Sequence, residues 1–404
     1  MKKISNKKPQ LRFPQFTNTW KDEVFGSIFR ERIEYTEEEL PLYSLTIDEG
    51  VVPKTKRYER SFLVKSKKEA YKVVYEDDFV FNPMNLRFGA IAKHSKKDKV
   101  LVSKYYNIFY CNRMHNPAFL ELYLRTNKMI GYYNKIAEGT LIEKRRVHFS
   151  NFVKFEKSLP ELSEQKQIAA FFTTINYWIQ NLDKQKIFLE EYKKGMMQKI
   201  FSQEIRFKDD GGKDFPDWEG KKLKDIFIRK TQKNNDNKIN FVLTNSATEG
   251  IVSQSDYFDK DIANQNNLSN YFIVEVDDFV YNPRISTSAP VGPMKMNSLK
   301  TGVMSPLYTV IRLKKGNKHF YEKYFETDLW HRYMKKIANY GARHDRMAIS
   351  SSDLMNMPIP FPSKEEQDKI VEFLIDVDNS VNSKKRQIKL AKEWKKGLLQ
   401  QMFV

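Results

Sequence analysis

The chain is written twice. Glu49-Gly50-Val51-Val52 returns as Glu249-Gly250-Ile251-Val252, and Asp77-Asp78-Phe79-Val80-Phe81-Asn82-Pro83 as Asp277-Asp278-Phe279-Val280-Tyr281-Asn282-Pro283, both 200 residues later. Lys193-Lys194-Gly195-Met196-Met197-Gln198-Lys199-Ile200-Phe201 returns 202 residues later as Lys395-Lys396-Gly397-Leu398-Leu399-Gln400-Gln401-Met402-Phe403. A repeat at a nearly fixed offset has to be read before any local pattern, because each copy should be one structural unit. A drift of two residues leaves room only for small loop changes. The copies also start alike: Leu11-Arg12-Phe13 matches Ile205-Arg206-Phe207, and Phe13-Pro14 through Trp20 has a counterpart in Phe215-Pro216 through Trp218. A two-fold arrangement would bring the last residues beside Leu11-Arg12-Phe13, a circular layout.

Within a copy the hydrophobic period changes. Short β-rich runs, Lys72-Val73-Val74-Tyr75, Phe79-Val80-Phe81 and Tyr106-Asn107-Ile108-Phe109-Tyr110, are punctuated by Asn82-Pro83, Gly89 and Asn116-Pro117. A helical pattern from Pro117 to about Ile136 interrupts them, which makes a mixed α/β unit. From Ser163 to Phe201 the period is that of a coiled coil: Ile168, Ile175, Leu182, Leu189 and Met196 fall at seven-residue steps, with Phe172 and Ile179 beside them. The second copy offers Ile370, Val377, Lys384, Ala391 and Leu398, accompanied by Leu374, Val381 and Ile388. Ser363 and Glu366 have the spacing of a capping box, and Pro362 bars an earlier start. About 38 residues at 1.5 Å each give roughly 57 Å per helix. The expected fold is therefore α/β: two similar mixed units separated by two long antiparallel helices. The boundaries are 1–157 and 203–361 for the units, 158–202 and 362–404 for the helices. The remaining apolar residues of these helices, such as Phe171, Trp178, Tyr192, Phe373 and Trp394, either finish the intramolecular seam or receive partner helices.

Charge separates reader from scaffold. Lys plus Arg is 70 against 51 Asp plus Glu, a formal charge of +19, which points to a polyanionic partner. Residues 1–157 hold 31 cations against 19 anions (+12), residues 203–361 hold 24 against 20 (+4), and the helical segments 15 against 12 (+3). The basic runs are Lys54-Thr55-Lys56-Arg57, Lys93-His94-Ser95-Lys96-Lys97, Lys144-Arg145-Arg146 and Arg229-Lys230-Thr231-Gln232-Lys233. Interleaved with Tyr, Phe, Asn and Gln, they have the composition of a nucleic-acid surface, Lys and Arg for phosphate, and Arg, Asn, Gln and Ser for base edges. Arg87 and Arg284 beside the Asn-Pro turns join the candidates. So do Arg145, Arg146 and His148 after Gly139, and Arg343, His344 and Arg346 after Gly341.

Other chemistries find little support. Asn82-Pro83-Met84-Asn85 and Asn282-Pro283-Arg284-Ile285 lack the second proline and aromatic with which an amino-methyltransferase holds a flipped base. An Asn-Pro turn closing a strand is the expected reading. The carboxylates around Pro216-Asp217 and Glu219-Gly220-Lys221 lie too close together for a two-strand magnesium nuclease site. No Walker A loop is present, the six His have no zinc spacing, and the single Cys111 excludes a disulfide framework. With no apolar stretch of signal-peptide or membrane length, a soluble cytoplasmic protein with no membrane partner is expected.

Pro160-Glu161-Leu162-Ser163-Glu164-Gln165-Lys166-Gln167-Ile168 opens one long helix, and Pro360-Phe361-Pro362-Ser363-Lys364-Glu365-Glu366-Gln367-Asp368-Lys369-Ile370 opens the other. Together with the Phe215-Pro216-Asp217-Trp218 lead and the repeat, this resembles the specificity subunit of Type I restriction-modification enzymes over essentially the whole chain. The resemblance implies two target-recognition domains, each reading half of a split double-stranded DNA site, held apart by conserved helices on which two modification subunits dock. It implies that S-adenosylmethionine belongs to those modification subunits, that ATP and magnesium belong to restriction subunits, and that this chain carries no cofactor and no catalytic site of its own. Helix length would cap the reader separation at about 17 base pairs. The alternative is a stand-alone DNA-binding protein or nuclease outside such a system.

Overall fold

The computed structural model describes residues 8–54, 71–141, 144–257, 268–338 and 345–403. The chain divides into two compact units, residues 1–183 with 386–404 and residues 184–385. Each unit thus takes one end of each long helix.

In the first unit, strands Phe29–Arg32, Asn107–Cys111, Phe79–Phe81 and Ile91–Lys93 form an antiparallel sheet in that order. The second unit repeats the order with Phe227–Lys230, Thr309–Leu313, Phe279–Tyr281 and Met294–Met296. Phe79, Val80 and Phe81 are all fully buried, because one sheet face meets the helices and the other a small β-layer. That layer comprises the hairpin Tyr43–Thr46/Gly50–Pro53 and the pair Tyr71–Val74/Val100–Ser103. The helical run after Pro117 is two helices, Pro117–Leu124 and Asn127–Ile136. They break at Arg125-Thr126 because the Thr126 hydroxyl accepts the Met129 amide and starts a new helix.

The repeated Asp-Asp-Phe has a structural cause. Asp77 and Asp277 adopt left-handed backbone, at φ 64° and 69°. Asp78 and Asp278 are buried, and each carboxylate caps a turn by accepting the backbone N–H of Tyr75 or Glu275. Arg32 compensates the first charge at 2.8 Å and Arg312 the second at 2.7 Å. Burial outweighs these favourable contacts at Asp78 and raises its pKa.

The long helices are Leu162–Phe201 and Lys364–Met402. In the first unit Ile168, Phe172, Ile175, Ile179 and Leu182 share a core with Ile388, Ala391 and Leu398. The segments run antiparallel there, Phe172 meeting Phe403 while Trp178 meets Trp394. In the second unit Ile370 and Leu374 join the globular core with Met197, Ile200 and Phe201, and Val377 and Val381 are buried nearby. Leu189 is only half-buried, and the buried positions of the first helix move to 197, 200 and 201. The second helix keeps its column, with Ile370, Val377, Ala391 and Leu398 all buried and Lys384 the one break.

Both helix starts are anchored identically. Arg12 clamps Glu164 with two bonds of 2.7 Å, and the Trp20 indole donates to the same carboxylate at 3.4 Å. Arg206 clamps Glu366 at 3.1 and 2.9 Å, with Trp218 donating at 2.8 Å. Gln165 and Gln367 donate to the carbonyls of Pro160 and Pro362, and accept the backbone N–H groups of Asn116 and Asn317. The capping box is therefore half formed. Ser363 accepts the Glu366 amide, but the Glu366 side chain turns to the arginine instead of back to Ser363. A buried carboxylate needs a charged partner more than a helix start needs its second cap bond. The circular layout is real within the first unit: the Leu11 amide donates to Gln401, and Phe403 stacks on Phe119 at 5.5 Å. Phe13 and Phe207 pack at the same 5.6 Å on Phe171 and Phe373, edge-on in the first pair and tilted in the second, which fixes Phe207 rather than Phe215 as the counterpart of Phe13.

Candidate nucleic-acid interface

In each unit one turn and one downstream basic segment are stapled together. Asn82 closes an Asx turn by accepting the Met84 amide at 3.0 Å, and Asn282 does the same with Arg284. Both Asn-Pro sequences are therefore strand-closing turns. The Pro83 carbonyl then accepts the Val147 amide at 2.9 Å, and the Pro283 carbonyl the Met347 amide at 3.0 Å. This places Arg87 in the loop docked to Arg145, Arg146 and His148, and Arg284 beside Arg346.

The side chains differ on this common frame. In the first unit Glu138 and Arg146 exchange backbone bonds of 2.9 Å, closing a loop that starts at Gly139, whose φ is +141°. A Cβ on Gly139 would stand 3.1 Å from the Arg145 backbone, so glycine permits this close return. Arg145 is half-buried, and Arg146 and His148 are exposed. Arg87 lies 4.4 Å over the Phe88 ring, its Nε without a partner. In the second unit Asp345 lies between two cations, 3.6 Å from Arg284 and 3.7 Å from Arg346.

The remaining candidates lie elsewhere. Lys93, His94, Lys96 and Lys97 are at the opposite end of the Phe79–Phe81/Ile91–Lys93 pair from Asn82. His94 is a correction: its ring is buried, bonded to the Asp98 carbonyl at 2.9 Å and packed edge-on against Tyr43, so it holds the fold and is not offered to a ligand. Lys93 pairs with Asp77 at 2.6 Å. Lys96 lies over the Tyr43 ring, and Lys54 follows the strand facing Tyr43. Arg229 and Lys230 end the outer sheet strand, and Lys233 bonds Asn270. Lys56, Arg57, Arg343 and His344 lie outside the described residues. Of the helix aromatics, Phe171 meets Trp394, Trp394 meets Trp178 and Tyr192 meets Phe373, each within one unit, while Tyr192, Trp178 and Trp394 stay half exposed. What sequence reasoning missed is the Arg12–Glu164 and Arg206–Glu366 anchors. Their signal was available as two charged residues repeated in both copies.

The described residues include no helix long and apolar enough to cross a membrane. Residues 216–392 match the family model described as the Type I restriction modification DNA specificity domain. The chain is 26% identical over 297 residues to the type I restriction enzyme MjaX specificity subunit of Methanocaldococcus jannaschii, a match covering 70% of this chain and 66%, just under two thirds, of that protein. The fold is shared with a chain from a structure concerned with complex assembly and conformational transition of the type I R-M system. That match has TM-score 0.57 and 16% identity, and covers 94% of this chain and 96% of the other. It is also shared with the HsdS subunit from Thermoanaerobacter tengcongensis, with TM-score 0.50, 18% identity, and 95% and 96% covered. Residues 216–392 thus resemble a Type I restriction modification DNA specificity domain, and nearly the whole chain has the fold of the HsdS subunit.

Proposed function

We propose that this chain is the DNA sequence-recognition subunit of a Type I restriction-modification complex, reading an asymmetric bipartite site with one half per unit. The observation that carries the reading is the stapled turn. The same Asn-Pro frame presents Arg87, Arg145, Arg146 and His148 in one unit and Arg284 and Arg346 in the other, as two readers of different half-sites require. Phosphate contacts from these cations position the duplex, and base-edge contacts specify it. On this reading the chain is not itself a catalyst. Two modification subunits dock on the long helices and carry S-adenosylmethionine and adenine methylation, and restriction subunits carry ATP and magnesium, all in the cytoplasm.

Methylation profiling of DNA from cells carrying this chain with modification subunits should reveal one split, asymmetric adenine-methylated motif. Exchanging residues 139–148 for those of another specificity subunit should change one half of it. A motif that changes in both halves, or DNA cleavage by the purified chain with magnesium alone, would sink the reading.

A further inference from the structure

The two units carry clefts at matching places, one cationic and one charge-compensated. In the first, an open cleft of about 710 Å³ lies between the junction of the two short helices and the helix pair, lined by Arg125, Asn127, Asn176, Lys392, Lys395 and Lys396. In the second, a cleft of about 380 Å³ is lined at the matching places by Glu326 and Asp328, and by Glu190, Lys193 and Lys194. Asp378 stands where the first unit has Asn176. In the second unit the acids consume the cations: Lys193 pairs with Glu326 at 3.0 Å and Asp378 at 2.7 Å, and the buried Lys323 pairs with the same two carboxylates. In the first unit every one of those acids is replaced by an amide or a cation. Among the described residues, Asp48 also lines this cleft, and Glu121 lies 3.9 Å from Arg125. Arg125 is fixed by donating to the Ile47 carbonyl at 2.5 Å. Burial, with Arg125 beside it, pushes the Lys395 ammonium below the usual lysine range against the opposing pull of Glu121.

We propose that the first unit's cleft binds consecutive phosphates of the DNA backbone beside the half-site that unit reads, and that the second unit has no such site. An acidic protein surface would also suit four cations. DNA is favoured because Phe88 and Gly89 line the same cleft, so it is continuous with the loop that carries Arg87 into the candidate interface. The inference rests on the DNA-reading role proposed above.

The test uses the full chain assembled with modification subunits and a mixed-sequence duplex, measuring affinity by fluorescence anisotropy across salt. Each lost phosphate contact lowers the slope of log affinity against log salt by about 0.9. The Lys395→Gln/Lys396→Gln variant should lose about 2 from the slope. The exposed Lys392→Gln should lose about 1, and Lys194→Gln, the counterpart of Lys396, nothing. An unchanged slope in both first-unit variants, on a complex that itself shows steep salt dependence, overturns the cleft and leaves the reading role intact. Weaker assembly with an unchanged slope would assign the cleft to a protein and overturn the proposal equally. A wild-type complex without salt-dependent binding would break the reading role itself.

Discussion

Glu164 and Glu366 sit under the same arginine and tryptophan, whereas Asp78 and Asp278 receive their guanidinium from different strands. Arg32 comes from the outer strand Phe29–Arg32, and Arg312 from its neighbour Thr309–Leu313. In the first unit Tyr110 stands where the second has Arg312, and Arg32 reaches across that ring at 4.9 Å. A buried carboxylate has to be compensated, but the sheet does not care which side supplies the cation. At the helix start the geometry leaves no such choice. The carboxylate, the arginine and the indole converge from three separate segments, and the glutamine beside them closes two backbone groups. The loops relax further still: residues 82–90 join the equivalent strands in one unit and residues 282–293 in the other. Invariance between the copies therefore tracks how many segments meet at a residue.

The comparison breaks most visibly at the anchors. Glu164→Gln and Glu366→Gln should each destabilise their unit by about 3 kcal/mol, since they deprive Arg12 of its 2.7 Å ion-pair partner and leave Arg206, among the described residues, with only the exposed Asp217 at 3.2 Å. Urea unfolding followed by tryptophan fluorescence checks this, because Trp20 and Trp218 contact the two sites. Equal losses support equivalence, and a loss confined to one copy would deny it.

Phe403 and Phe201 occupy matching places, one against Phe119 and Phe172, the other against Phe320 and Tyr324. Both are nearly buried. Phe403→Ala should cost about 3 kcal/mol, close to Phe201→Ala, although it removes one of the last side chains. A negligible cost for Phe403→Ala in thermal unfolding would show that the second helix's last turn does not close the first unit.

Glycine separates the two Asn-Pro loops. Gly292 has φ +79°, and a Cβ there would fall 2.0 Å from the Asn282 carbonyl oxygen, a backbone atom that cannot yield. Gly89 has φ +93°, but its Cβ would meet only the end of Ile130, at 3.1 Å. Gly292→Ala should therefore cost about 2 kcal/mol or displace the Arg284 turn, and Gly89→Ala about 1 kcal/mol. Methylation should be lost first at the second unit's half-site. The reverse order would mean the loops are not built alike.

Much of this architecture is visible in the residues alone, because duplication and heptad spacing are long-range patterns that survive local ambiguity. The strands around Phe79–Phe81 and Asn107–Cys111 and the extent of both long helices follow from periodicity. Partner choice does not. Nothing local says that Glu366 prefers Arg206 to its own cap, that His94 turns inward, or that Thr126 restarts a helix. Basic runs also overstate proximity: Lys93–Lys97 and Arg87 are close in sequence but occupy opposite ends of one strand pair, because a three-residue strand intervenes on each side. The helices' near-balanced charge likewise conceals Lys392, Lys395 and Lys396, because the second copy's cleft draws acids both from its globular part, Glu326 and Asp328, and from its helices, Glu190 and Asp378, where the first copy has none at the matching places.

The smallest effect probes a position where the copies disagree in polarity. Lys157 occupies the place of the buried Ile359, with its ammonium 3.0 Å from the Tyr132 ring centre. Burial, aided by Lys128 and Lys135, lowers its pKa to about 8. The unfolded chain holds this proton up to about pH 10.4, so between those values it binds more protons than the folded chain, and folding grows more favourable as pH rises. Lys157→Ile should therefore stabilise the first unit by about 1 kcal/mol at pH 7, offset in part by the lost contact with Tyr132. That gain should shrink between pH 8 and pH 10 as the wild-type lysine sheds its proton. Unfolding midpoints at pH 7 and pH 10 decide it: a gain that is flat or grows with pH would mean the ammonium is not penalised, and that lysine is as much at home there as isoleucine is in the second copy.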